Sequence, residues 1–172
     1  STCEYVFPAA NHNRFSHSLG AYHLARTLVD SLNDVQPGLV STEDAELIQL
    51  AALLHDIGHP PFSHLLESAE VFATYHSHEH WGRVLLESTD TEVGMALLEA
   101  LGRTRRDRLF ALLDGASEHE GVPIPPFMKE IVSSQLDVDR MDYMVRDQAN
   151  TGAQIGGFDI ARVIRALRVS DD

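Results

Sequence analysis

The sequence predicts an all-α fold. Apolar residues recur at helical spacing along most of the chain, where strands would alternate. Cap residues of the Ser and Asp type stand ahead of the periodic stretches, and Gly and Pro fall between them. With 172 residues, 44% hydrophobic and 23% charged, the composition is that of a soluble globular protein, and one domain over residues 1–172 is expected.

Residues 1–13 read as irregular, with Tyr5-Val6-Phe7 the best strand candidate. A first helix is expected from Arg14 to Asn33, with Leu19, Tyr22, Ala25, Leu28, Val29 and Leu32 on one stripe. Pro37-Gly38 makes a turn. Ser41 followed by Asp44 caps a second helix, whose inner side carries Leu47, Ile48, Ala51, Leu54 and His55. A short helix over His64–Ala69 comes next, then a loop in which Ser77 caps the following helix. Amphipathic helices are expected over His78–Leu86, Glu92–Leu101 and Arg105–Leu113. Residues 114–126, rich in Gly and Pro, read as a flexible link. Phe127–Leu136 and Val138–Gln148 read as helical, and Gly152, Gly156 and Gly157 precede a last helix, Ile160–Arg168. No internal repeat is visible.

The net charge of −13, from 26 acidic and 13 basic residues, argues against a nucleic-acid surface, which needs a basic face. A small phosphorylated substrate needs only a local basic pocket. No apolar run is long enough to span a bilayer, no signal-peptide pattern opens the sequence, and Cys3 is the single cysteine. The expectation is a cytoplasmic protein without a membrane partner.

The chemistry concentrates between Leu53 and His64. His55 and Asp56 close an apolar helical run, and Gly58 and Pro60-Pro61 end it. Six of the ten histidines lie between His55 and His80. Neutral imidazole together with carboxylate suits a divalent cation, but His55 could equally cap its own helix. Two ligands do not make a tight site. His17 is one candidate partner, three residues after Arg14 and on the same helix face. Asp139 is another, since Asp139, Tyr143, Arg146 and Asp147 fall on successive turns of one side. Taken alone, His64, His78 and Arg140 read as ordinary surface or core residues. Arg103, Arg105, Arg106 and Arg108 read as a helix face paired with Asp107 and Asp114, and Trp81, Leu85 and Leu86 as core.

Together, His17, His55-Asp56 and Asp139 resemble the H…HD…D signature of the HD-domain metal-dependent phosphohydrolases. Asn13-Arg14-Phe15-Ser16-His17-Ser18-Leu19-Gly20, the run His55 to His64, and Asp137-Val138-Asp139-Arg140-Met141-Asp142-Tyr143 more narrowly resemble the deoxynucleoside triphosphate triphosphohydrolases. These include the bacterial dGTPase-like proteins and the animal enzyme that pairs a sterile-alpha-motif with an HD domain. The resemblance extends from about Tyr5 to about Gly152. The bare His-Asp pair is shared by many chemistries, and its extension through Gly-His and Pro-Phe-Ser-His is the specific part.

The resemblance implies an HD-domain helical bundle around a single divalent metal held by His17, His55, Asp56 and Asp139. Mn, Fe, Co, Ni or Zn all suit that set, and Mg can accompany the triphosphate. It implies hydrolysis at the α-phosphorus of a deoxynucleoside triphosphate (dNTP), releasing deoxynucleoside and inorganic triphosphate. Arg14, His59 and Arg140 would contact phosphate, Arg140 standing where the animal enzyme has lysine. His64 with Glu67 would serve as general acid, with His78 and Glu79 a rival pair. Tyr143 and Asp147 would contact sugar and phosphates. Family members are usually longer, with C-terminal regions that support homo-oligomers and allosteric sites, so the chain is expected to correspond to the catalytic core. The segment that helps select sugar and base would lie before Ser1. Two alternatives stay open: another HD phosphohydrolase (a nucleotidase or cyclic-nucleotide phosphodiesterase, although no Gly-Tyr-Pro signature follows), and a non-catalytic nucleotide-binding or assembly domain with a structural metal.

Overall fold

A computed structural model of the chain describes residues 2–61, 76–153, 157 and 159–170. Among these the fold is helical, as the periodicity predicts. Seven α-helices occur: α1 (Arg14–Val35), α2 (Thr42–Leu54), α3 (His78–Glu87), α4 (Glu92–Leu113), α5 (Pro126–Val132), α6 (Val138–Thr151) and α7 (Ile160–Ala166). A short 3-10 turn, Thr2–Tyr5, opens the chain, and a small ribbon, β1 (Glu118–His119) with β2 (Val122–Pro123), follows α4. The helices form two compact units, one from Ser1–Leu53 and Pro125–Asp172, the other from Leu54–Ile124.

In the first unit α1 packs against α6 and α7. Its start is fixed by a capping box, with Asn13 accepting from the Ser16 amide while the Ser16 hydroxyl reaches back to the Asn13 amide. Ala21, Ala25, Leu28, Val29 and Leu32 are buried on one stripe, and the small residues let a neighbouring helix approach. Leu19, expected on that stripe, is exposed. Asn33 holds the next turn with both ends of its amide, donating to the Val40 carbonyl (3.0 Å) and accepting from the Val40 amide (2.9 Å). Ser41 caps α2 by accepting from the Asp44 amide at 3.0 Å. The helix expected over Phe127–Leu136 starts one residue earlier, with Pro126 in its first turn, and ends at Val132. The cause is Asp137, whose buried carboxylate accepts from the Ser134 amide (2.7 Å) and the Arg140 amide (2.8 Å). That folds residues 133–137 into a turn and caps α6.

In the second unit α3 packs on α4, and α4 on β1. Ser77 caps α3 and Thr91 caps α4. The two helices expected over 92–101 and 105–113 meet at Gly102, whose φ of 68° and ψ of 175° break the helical path. The buried stripe of α3 is Gly82 and Leu86. Trp81 and Leu85, expected in the core, lie off that stripe. Trp81 is 47% exposed, its ring T-shaped to those of His76 and His80.

Two other expectations change. Tyr5-Val6-Phe7 is not a strand and is largely exposed. The described β-structure lies instead in the 114–126 link. There Glu120 (φ 51°) and Gly121 (φ 77°) form a two-residue turn with both φ positive, the geometry that joins short antiparallel strands. Arg108 donates to the Val122 and Pro123 carbonyls (3.3 and 3.0 Å) and ties the ribbon to α4. Two further arginines there, Arg83 and Arg106, make structural contacts. Arg83 pairs with Asp114 (2.7 Å) and lies over the Phe110 ring, while buried Arg106 pairs with Asp107 (3.3 Å). The short helix expected over His64–Ala69 lies outside the described residues.

Candidate metal centre

The first unit brings His17, Asp139 and Asp142 together. His17 stands in the first turn of α1, one turn after the Asn13 cap, and is 9% exposed. Its Nε2 lies 2.9 Å from Asp139 Oδ1, and its Nδ1 lies 2.7 Å from Asp142 Oδ2. Asp139 and Asp142 sit three residues apart on α6, so both face one direction. Arg146, one turn further on, donates from Nε and Nη2 to both Asp142 oxygens at 2.8 Å. Burial works against a charged His17. The hydrogen bonds to Asp139 and Asp142, and their charges, outweigh it and raise the pKa to about 9. Burial likewise opposes the Asp142 charge, but the His17 and Arg146 hydrogen bonds win and hold its carboxyl below the usual carboxylate range.

Along α6, Arg140 is exposed, with Nε 3.7 Å from Asp137 Oδ2. Tyr143 is 40% exposed, which leaves a phenol accessible. Asp147 pairs with His12 Nε2 at 2.9 Å. Arg14 is exposed on the first turn of α1.

The second unit assembles the His-Asp run. α2 ends at Leu54, and His55 to Gly58 form a turn closed by the Ile57 amide on Leu54 (3.1 Å) and the His59 amide on Asp56 (3.2 Å). Asp56 Oδ1 lies 3.4 Å from His55 Nε2 and 3.3 Å from His59 Nε2. The His59 ring stacks on His78, centroids 3.7 Å apart. His78 Nε2 lies 3.3 Å from Glu79 Oε1. Gly58 makes this possible, because a Cβ there would collide with the His78 carbonyl and the Gly82 amide, both backbone. Its role is close approach, since its φ is not in the left-handed region.

The donor chemistry fits a divalent cation in both units. His17 and Asp139 offer one nitrogen and one oxygen side by side, and Asp56, His59 and His78 each offer a ligand atom within 4.8 Å of the others. A borderline cation accepts such mixed nitrogen and oxygen ligands. His64 and Glu67 lie outside the described residues.

Sequence reasoning passed over three contributors. Asp142 stands in a motif without an assigned role, Arg146 is one of several groups on a helix side, and His12 carries no sequence signal of a role. The i,i+4 spacing of Asp142 and Arg146 is the signal that was available.

A helical fold with clustered histidine and aspartate defines a class, and comparison with known proteins agrees. The HD domain family model matches residues 14–147, and the chain belongs to the HD domain family. It is 38% identical over 169 residues to the uncharacterized protein YwfO of Bacillus subtilis, covering 97% of this chain and 36% of that protein. It is 35% identical over 192 residues to human deoxynucleoside triphosphate triphosphohydrolase SAMHD1, covering 97% and 30%. Among solved structures, a phosphohydrolase from Bacteroides thetaiotaomicron superposes with a TM-score of 0.77 at 36% identity, covering 98% of this chain and 38% of that one. The chain thus spans about a third of the length of the relatives it matches. No described helix is long and apolar enough to cross a membrane.

Proposed function

We propose that this chain is the core of a metal-dependent phosphohydrolase that cleaves dNTPs to deoxynucleoside and inorganic triphosphate. His17, His55, Asp56 and Asp139 are the proposed ligands. The observation that carries the reading is the pairing of His17 Nε2 with Asp139 Oδ1 at 2.9 Å, two donors 122 positions apart in the motif order of the family. Similarity to proteins named as dNTP triphosphohydrolases supports the substrate class.

A bound divalent cation supplies Lewis acidity toward a phosphoryl oxygen. The chain's own groups do the rest. Arg14 and Arg140 neutralise the triphosphate, Arg140 as a fork on an exposed stem, and His59 is a further phosphate contact. Tyr143 and Asp147 orient the sugar. Water adds at the α-phosphorus, the bond to the 5′-oxygen breaks, and a general acid returns a proton to that oxygen. Glu79 Oε1, 3.3 Å from His78 Nε2, stands behind that imidazole, which makes the pair a candidate for this donor. His64 with Glu67 is the alternative donor. We place the protein in the cytoplasm and expect a homo-oligomer.

Incubation of the metal-loaded chain with each of the four dNTPs tests the reaction. Deoxynucleoside plus triphosphate is expected, whereas orthophosphate or a nucleoside monophosphate as sole product would point to another HD phosphohydrolase. A chain that binds metal and turns over no dNTP would be a nucleotide-binding or assembly domain. Asp139→Ala should lose both metal and activity, and turnover by a metal-free Asp139→Ala chain would refute the ligand set. A second reading rests on the Asp56, His59 and His78 group, which would hold a second ion, and two ions per chain on elemental analysis would select it.

A further inference from the structure

We propose that Asp142 is a positioning residue for the metal centre, held by Arg146 and given room by Gly20, and that it sets which nitrogen of His17 faces the cation. This rests on His17 being a ligand.

The two carboxylates on His17 are not equivalent. Asp139, about one-third exposed, meets Nε2, while Asp142, almost fully buried, meets Nδ1. Both Asp142 oxygens are already occupied, Oδ2 by His17 Nδ1 and Arg146 Nε, Oδ1 by Arg146 Nη2. A carboxylate so committed is a poor metal ligand and a good anchor. An imidazole that donates Nδ1–H to a fixed carboxylate keeps its lone pair on Nε2, beside Asp139, and its ring cannot flip without losing that bond. The bidentate guanidinium fixes the carboxylate plane in turn.

Gly20 completes the device. It lies three residues after His17 on the same face of α1, and a Cβ there would collide with Asp142 Oδ1 and Arg146 Nη2. Any other residue at position 20 would push the carboxylate away from the imidazole. His17, Gly20, Asp142 and Arg146 therefore act as one constraint across α1 and α6.

The test uses the full chain, stripped of metal by chelator, titrated calorimetrically with Mn2+ and loaded separately with Co2+ for its visible absorption band. Wild type should bind, and Asp142→Asn should keep its helical circular dichroism while its dissociation constant rises about 10- to 100-fold. Its Co2+ band should shift, which a loss of stability alone would not produce. Arg146→Lys keeps the charge but not the fork, and should weaken Mn2+ binding by several-fold, about 3- to 10-fold. It carries the test if Asp142→Asn does not fold. Unchanged affinity and spectrum in the folded variants would overturn the positioning role while leaving the metal reading intact. No Mn2+ or Co2+ binding by wild type would overturn both.

Discussion

His17 enters neutral solution with a proton that an isolated histidine would have lost. Its pKa of about 9 in the metal-free fold lies above the ordinary 6.5, so the charged form stabilises the native state. That contribution is complete below pH 6.5, declines as pH rises, and is gone above about pH 9; it is worth about 3 kcal/mol. The chelator-treated chain should therefore melt several degrees lower at pH 9.5 than at pH 6.5, and His17→Gln should flatten the difference. A wild-type melting temperature unchanged over that range would contradict the assignment. Asp142 has the opposite sign. Its depressed pKa gives stability present above the ordinary carboxylate value and lost as pH falls through the lower native one. Arg140 makes a separate prediction. Being exposed, it should be replaceable by Ala without loss of stability but with KM for a dNTP raised about 10-fold, and Lys should restore part of that. At this scale the sequence displays candidates in linear motifs: His17, His55-Asp56 and Asp139. The Asp142–Arg146 pair is visible there only as i,i+4 spacing, whereas its contact with His17 and the His12–Asp147 pair are not visible, because they depend on how distant segments meet.

At the scale of elements, the turn after α2 and the start of α3 are fitted to each other through Gly58. Backbone atoms of His78 and Gly82 occupy the space a side chain would need, and backbone cannot rotate away. Gly58→Ala should cost about 2–4 kcal/mol and separate the His59 and His78 rings. Thermal melts and the imidazole NMR shifts of those two residues check this, and a variant with native shifts would remove the packing argument. Helix existence is legible for the described residues, since caps such as Ser41 and Ser77 and the breaks around them are local chemistry. Ends and faces are less so. Asp137 ends α5 early through two local hydrogen bonds, to amides three residues away on either side, and Trp81 falls just off a stripe defined by Gly82, which no hydrophobic pattern marks. The ribbon after α4 was hidden because Glu120-Gly121 looked like one more loop among glycines and prolines.

For the whole molecule, the HD match over residues 14–147 crosses both units, and we propose that residues 1–172 act as one domain. The full chain should then melt in a single transition by calorimetry, and two resolved transitions would give the units independent stability. The first unit is discontinuous. α1 belongs with α6 and α7, and the whole of Leu54–Ile124 comes between them in the chain. The His17–Asp142 bond closes a separation of 125 residues. On a ribosome adding about 5–20 residues per second, α1 would emerge roughly 6–25 s before its partner helix. During that interval Ala21, Ala25, Leu28, Val29 and Leu32 lack α6 and α7, the helices that α1 packs against in the folded unit. The residues between α1 and α6 are made before the first unit can close, so a holdase that shields α1 should raise the yield of folded protein.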